Sequence, residues 1–231
     1  MRYLTAPSYT AALLAIATLS SAAVAQMGAL PGGWFASSDS ASDYHVGSDV
    51  SRRPGGSGMI SGYIRATVKN PSSSAALTQT INAEHLRGQR VRLTGYVRRS
   101  GDSGLAQLFL RVEGNAPTPA TDYTAPVFTP AKETRDGNGW IMQSIVVDVP
   151  KHCSGLRIGF VSVGADEAWL DDVRFELVNS SVSLTGHEVS SAASLGTMQE
   201  IASAVKRRES VDGKLAMEFV NLDFESSARL R

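Results

Sequence analysis

Between residues 90 and 112 apolar and polar side chains alternate with a period of two. Val91, Leu93, Gly95 and Val97 form one face, and Arg90, Arg92, Thr94, Tyr96 and Arg98 the other. After the turn Gly101-Asp102-Ser103-Gly104, Ala106, Leu108, Leu110 and Val112 face in while Gln107, Phe109 and Arg111 face out. This period marks half-buried β-strands. Further strands are predicted at Tyr44 to Gly47, Met59 to Val68, Leu77 to Ile81, Trp140 to Val149, Leu156 to Val163 and Glu167 to Leu177. Residues 26–42 read as an irregular opening segment, and 49–58 and 114–138 as loops rich in Gly, Pro and Thr. Asn82 to Gly88 reads as one helical turn, with Asn82 as its cap and Gly88 as its stop. Short strands separated by turn signals, with no β-α-β alternation and no internal repeat, predict an all-β antiparallel two-sheet sandwich.

The strand closing this set, Trp169-Leu170-Asp171-Asp172-Val173-Arg174-Phe175-Glu176, departs from simple alternation. Trp169, Asp171, Val173 and Phe175 are expected on one face, and Leu170, Asp172, Arg174 and Glu176 on the other. Asp171 is then a carboxylate in line with core positions, which requires a metal, a cation or several hydrogen-bond donors. Beyond it the period changes. Leu195, Met198, Ile201, Ala202 and Val205 recur at helical spacing, and Phe219 to Glu225 reads as a terminal strand.

Composition adds the context. The 231 residues suffice for one large β-domain or two small ones. Arg2, the apolar run Ala11 to Thr18 and Ala23-Val24-Ala25 fit a cleaved signal peptide, with Gln26 the first mature residue. A membrane anchor is the alternative, but the run is shorter than the ~20 residues a span needs. The domain order expected is a signal peptide over 1–25, a sandwich over 26–185, and a helical extension with a docking terminal strand over 186–231. An exported protein, periplasmic or secreted and without a membrane span after cleavage, is the implied fate. The 22 basic and 22 acidic residues give zero net charge, which does not favour nucleic acid as a partner. Lys206-Arg207-Arg208 lies beside Glu209 and reads as a solvated helix end. The single Cys153 excludes an internal disulfide and has no base or oxyanion motif beside it.

Several segments together resemble a bacterial family of jelly-roll domains similar to carbohydrate-binding modules, the galactose-binding-like β-sandwiches. These are Gly33-Trp34-Phe35-Ala36-Ser37-Ser38-Asp39 with Asp43-Tyr44-His45-Val46-Gly47, then Ser61-Gly62-Tyr63-Ile64, and Leu86-Arg87-Gly88-Gln89-Arg90-Val91-Arg92-Leu93-Thr94-Gly95-Tyr96-Val97. Leu108 to Gly114 and Trp169 to Glu176 complete the match, which covers roughly residues 33–185 in order. The resemblance implies a jelly roll and says little about activity. In the family an Asn-x-x-Phe-Glu strand commonly precedes the Gly-Trp segment; here that motif stands at the far end, as Asn221-Leu222-Asp223-Phe224-Glu225. The expectation is that the tail returns to supply the missing strand beside Trp169–Glu176, in cis or, in a strand-exchanged homodimer, in trans. The resemblance also implies a structural calcium on Asp171 and Glu225. Two carboxylates fall short of its six to eight oxygen ligands, and loop amides donating to Asp171 are the alternative. No catalytic cofactor is implied.

For ligands, the outward sides of the two most regular strands carry Arg92, Tyr96, Arg98, Gln107, Phe109 and Arg111. Aromatic faces stack on sugars, and Arg or Gln fork onto hydroxyls or carboxylates, so an acidic saccharide would suit this face. The alternative is an ordinary solvated sheet face with Phe109 under the tail helix. Trp34, Trp140 and Trp169 are expected in the core. Enzyme signatures are missing. The four histidines have no metal-ligand spacing, neither Gly/Ser-rich turn completes a nucleophile elbow, and Asp171 and Asp172 are expected on opposite faces. The reading is an exported, non-catalytic module that binds a carbohydrate or another cell-envelope ligand. A self-associating structural protein is the alternative, and a hydrolase built from distant residues a third.

Overall fold

The computed structural model describes residues 28–38, 43–51, 53–56, 58–114, 127–129, 137–185 and 216–226. Among the described residues, ten strands form two antiparallel sheets. They are β1 (Phe35–Ser38), β2 (Tyr44–Asp49), β3 (Ser61–Ala66), β4 (Ser74–Asn82), β5 (Arg90–Arg99), β6 (Leu105–Gly114), β7 (Val127–Phe128), β8 (Trp140–Asp148), β9 (Cys153–Val163) and β10 (Ala168–Val178), with one 3-10 turn, η1 (Glu84–Leu86). One five-stranded sheet runs β1-β4-β9-β6-β7 and the other β2-β3-β10-β5-β8. This is the expected all-β sandwich. Strand β1 formed within the segment read as irregular, and β7 within the 114–138 loop. The expected helix over 186–208 and the signal peptide lie outside the described residues.

The core follows from the alternation. Val91, Leu93 and Val97 of β5 and Leu108, Leu110 and Val112 of β6 face each other between the sheets with Leu77, Ile158 and Phe160. The pair β5 and β6 is not a hairpin within one sheet, because each strand belongs to a different sheet. Asp166 anchors the crossing: its carboxylate accepts Ser103 Oγ and Gly104 N, both at 2.8 Å. The chain therefore turns through the thickness of the sandwich and not along a sheet.

Strand β10 contains a bulge. Its register against β5 slips between Asp171 and Arg174, and Asp172 takes φ 49°. An extra residue reverses the alternation beyond it. Trp169 thus packs with Tyr63 and Trp140 on the outer face, while Leu170, Val173 and Phe175 belong to the inner core. The expectation that Trp169, Val173 and Phe175 share a face is corrected by this bulge. Asp172, expected on the face opposite Asp171, is buried as well, at 6% exposed.

The tail docks in cis, but not as a strand. Among residues 216–226 the ladder contact is a single parallel bridge, Ala216 to Ile81. Asn221 and Phe224 adopt φ 50° and 63°, which breaks any extended run. The Leu222 carbonyl accepts Val173 N at 3.3 Å, an amide beside the β10 bulge. Phe224 inserts into the core, 1% exposed, with its ring centroid 4.9 Å from that of Trp34. Ser226 O accepts Gly32 N at 2.7 Å, so the tail ends beside the opening segment.

Candidate functional site

The six residues read as one ligand face do not come together. Arg92, Tyr96 and Arg98 lie on the outer face of the sheet containing β5; Gln107, Phe109 and Arg111 lie on the outer face of the sheet containing β6. The two sets sit on opposite sides of the sandwich, since inward-facing Leu93 and Leu108 meet between them. Strands β5 and β6 follow one another in sequence but belong to different sheets, and the crossing at Ser100–Gly104 separates the six residues.

On the β5 side, the register lines up Tyr63, Trp169, Arg98 and Trp140 across four strands. The Arg98 guanidinium lies 4.2 Å from the Trp169 ring centre and 5.0 Å from that of Trp140. It also donates to Ser51 Oγ at 2.6 Å. Burial lowers the Arg98 pKa, opposed by the charges of Asp49 and Glu167. Trp169 Nε1 donates to Asp49 Oδ2 at 2.9 Å. In the next row the Arg53 guanidinium stacks 3.8 Å over the Tyr96 ring. The protein's own cations thus cover these aromatic faces, an arrangement that stabilises the loop over the sheet. Arg92 remains at the surface, paired with Glu176 at 2.7 Å.

On the β6 side the three residues are structural. Phe109 is fully buried, and its ring lies over Gly159, where an added Cβ would sit 3.0 Å from the ring edge. Gln107 Nε2 donates to Thr129 O at 2.6 Å, holding β7's end. Glu113 lies between Arg111 and Arg157, at 3.7 and 3.4 Å. Phe109 and Gln107 therefore offer no exposed platform.

Asp171 is 1% exposed and is met by backbone N–H donors. Oδ2 accepts Arg53 N at 2.8 Å and Oδ1 accepts Asp172 N at 2.7 Å. Burial pushes the Asp171 carboxyl up, the two amide bonds oppose this, and neighbouring Asp172 reinforces it. Asp172 pairs with Arg53 at 2.8 Å. Glu225 Oε1 accepts Met59 N at 2.6 Å and Ile60 N at 2.9 Å. Among the described residues no three His, Cys, Asp or Glu side chains gather as a metal site. Amides donate to both oxygens of Asp171 and to Oε1 of Glu225, the kind of partner the amide alternative calls for. Cys153 is buried, its Sγ 3.2 Å from Gly155 O, and burial pushes its thiol up, away from the reactive thiolate.

A concave feature forms where the tail meets the end of the sandwich. This groove, of about 270 Å³, has Leu86, Phe175 and Phe219 in its wall and His85, Glu176 and Glu218 among its polar lining. Asn82 Oδ1 accepts Glu84 N at 3.0 Å and starts η1, which buries Leu86 and leaves His85 exposed. The bulge in β10 sends Phe175 inward, where it meets Phe219 edge-on at 4.9 Å and 71°. Arg92 borders the groove through its ion pair with Glu176. Phe175 and Phe219 were legible only as strand residues; their meeting depends on the tail's return.

No family model matches this chain. It is similar to an uncharacterized HTH-type transcriptional regulator, YbfP, of Bacillus subtilis (strain 168), with 28% identity over 158 residues, 68% of this chain and 52% of that protein. The chain spans about half the length of that curated relative. In structure it is similar to the Stig cyclase Fisc from Fischerella sp. TAU, at 13% identity and TM-score 0.50, over 67% of this chain and 89% of that one. It is also similar to the CBM22-1 xylan-binding domain of Paenibacillus barcinonensis Xyn10C, at 13% identity and TM-score 0.45, over 68% of this chain and 92% of that one. No helix among the described residues is long and apolar enough to cross a membrane. At these identities the structural likenesses are of fold, and the fold is the antiparallel β-sandwich.

Proposed function

We propose that this chain is a non-catalytic, exported binding module whose ligand is a carbohydrate, taken in the groove between η1, the end of β10 and the returning tail. The observation that carries the reading is the groove's make-up. Apolar and aromatic side chains (Leu86, Phe175, Phe219) form its wall, and His85, Glu176 and Glu218 supply acceptors and a donor. Concave, largely apolar sites with a few polar groups are where small ligands bind. Two carboxylates in the lining favour a neutral saccharide over the acidic one expected from the arginine-bearing strands. Export rests on the N-terminal sequence pattern, and the sandwich likeness to a xylan-binding domain is compatible with the ligand class.

Calorimetric titration of neutral and acidic oligosaccharides tests this. A neutral oligosaccharide is expected to bind, with Phe219→Ala weakening it about tenfold (the ~1.4 kcal/mol of one lost stacking contact) and Tyr96→Ala leaving it unchanged. Loss of binding in Tyr96→Ala with Phe219→Ala unaffected would move the site to the β5 face. No binding by a folded protein across the panel would overturn the carbohydrate reading.

A further inference from the structure

The tail, residues 216–226, is held the way a bound peptide is held. Gln79 reads the backbone of one residue with both ends of its amide: Nε2 donates to Val220 O at 2.6 Å, and Oε1 accepts Val220 N at 2.9 Å. Trp34 Nε1 donates to Asn221 O at 2.9 Å, and Asn82 N to Ala216 O at 2.7 Å. Asn221 ties the segment to the opening strand's approach, donating from Nδ2 to Gly32 O at 3.2 Å. Side chains then set the sequence. Phe224 fills a core position that Gly62 keeps open: a Cβ there would lie 2.8 Å from the Phe224 ring. Glu225 takes the amides of Met59 and Ile60, over Gly58, whose missing side chain leaves room for the carboxylate.

We propose that the sandwich carries an acceptor slot for an Asn-x-x-Phe-Glu peptide, filled in cis by residues 216–226 and able to take the same segment from a second copy of this chain. Thr185 and Ala216 are the described ends of the connection, and about thirty residues lie between them. Fully extended, that length reaches on the order of 100 Å, so covalent reach does not confine the tail to its own sandwich. A tether of about thirty residues sets an effective concentration of roughly millimolar for the segment at its end. Cis docking therefore prevails in dilute solution, and exchange requires local crowding of copies or a cut between residues 185 and 216. Whether the groove binds a saccharide does not enter this inference, because the slot's contacts are with Phe224, Glu225 and the tail backbone.

The test uses the full chain with a site-specific protease sequence inserted near residue 200. After cleavage the tail fragment is expected to co-elute with the sandwich in gel filtration. A fluorescent peptide of residues 216–226 is expected to replace it saturably. The same peptide with Phe224→Ala should bind at least about 100-fold weaker, given the cost of truncating a buried phenylalanine. A Glu225→Gln peptide should bind about tenfold weaker, having lost its charge-assisted bonds. In the second arm, uncleaved copies carrying donor or acceptor dyes are mixed at millimolar concentration; energy transfer is expected for the native chain and lost in Phe224→Ala. Release of the tail on cleavage, folded sandwich or not, would overturn the proposal. So would equal binding of the Phe224→Ala peptide, and absence of energy transfer would overturn the exchange with a second copy.

Discussion

Replacing Phe224 with alanine should cost this protein more than a terminal residue ordinarily does. The side chain is 1% exposed, sits 4.9 Å ring-to-ring from Trp34, and lies against Gly62, which cannot fill the space it vacates. Truncating a buried phenylalanine costs about 3–5 kcal/mol. In a domain of this size each kcal/mol moves the melting temperature by roughly 2–4 °C, so a fall of about 10 °C is expected. Backbone strain supplies a second, independent figure. Phe224 has φ 63°, which alanine must also adopt, whereas glycine adopts it without penalty. Phe224→Gly should therefore be no less stable than Phe224→Ala, and about 0.5–1 kcal/mol better if the surrounding contacts persist. Thermal unfolding followed by near-ultraviolet circular dichroism, which reports Trp34, reads both variants. A melting temperature within about 2 °C of the native value for Phe224→Ala would refute the docking of the tail, and glycine clearly worse than alanine would refute the backbone geometry.

Gly159→Ala should destabilise by about 1–3 kcal/mol, because the new methyl meets the Leu77 carbonyl and the Phe109 ring and backbone must move; denaturant unfolding measures it, and a neutral result would place Phe109 elsewhere. The pH dependence of Asp171 follows from its raised pKa: the folded chain holds this proton more tightly than the unfolded chain does. Its contribution is present below the ordinary value of 3.8 and is lost as pH rises through the raised folded value. In urea unfolding between about pH 4 and 7, the stability of the native chain relative to Asp171→Asn should fall with rising pH; a relative rise would reverse the assignment. Adding a calcium chelator should leave the melting temperature unchanged, since amides donate to Asp171 and Glu225; a clear drop would show a metal at that seam.

The inward residues of β5 and β6 were legible because a period of two needs only local information. Each strand's apolar half must find a core whichever sheet it joins. The same argument marked Asp171 as buried and in need of partners, whereas the return of Asn221–Glu225 to the sandwich was implied only by the family resemblance. What local pattern could not show was sheet membership. Arg92, Tyr96 and Arg98 parted from Gln107, Phe109 and Arg111 because Asp166, sixty-odd residues away in sequence, anchors the turn between β5 and β6. The face of Phe175 was equally out of reach, since one inserted residue at Asp172 inverts every side chain that follows it. The groove came from neither strand alone. It exists because Phe224 is drawn into the core and brings Phe219 onto Phe175, a contact between distant parts of the chain that burial free energy selects and periodicity cannot record.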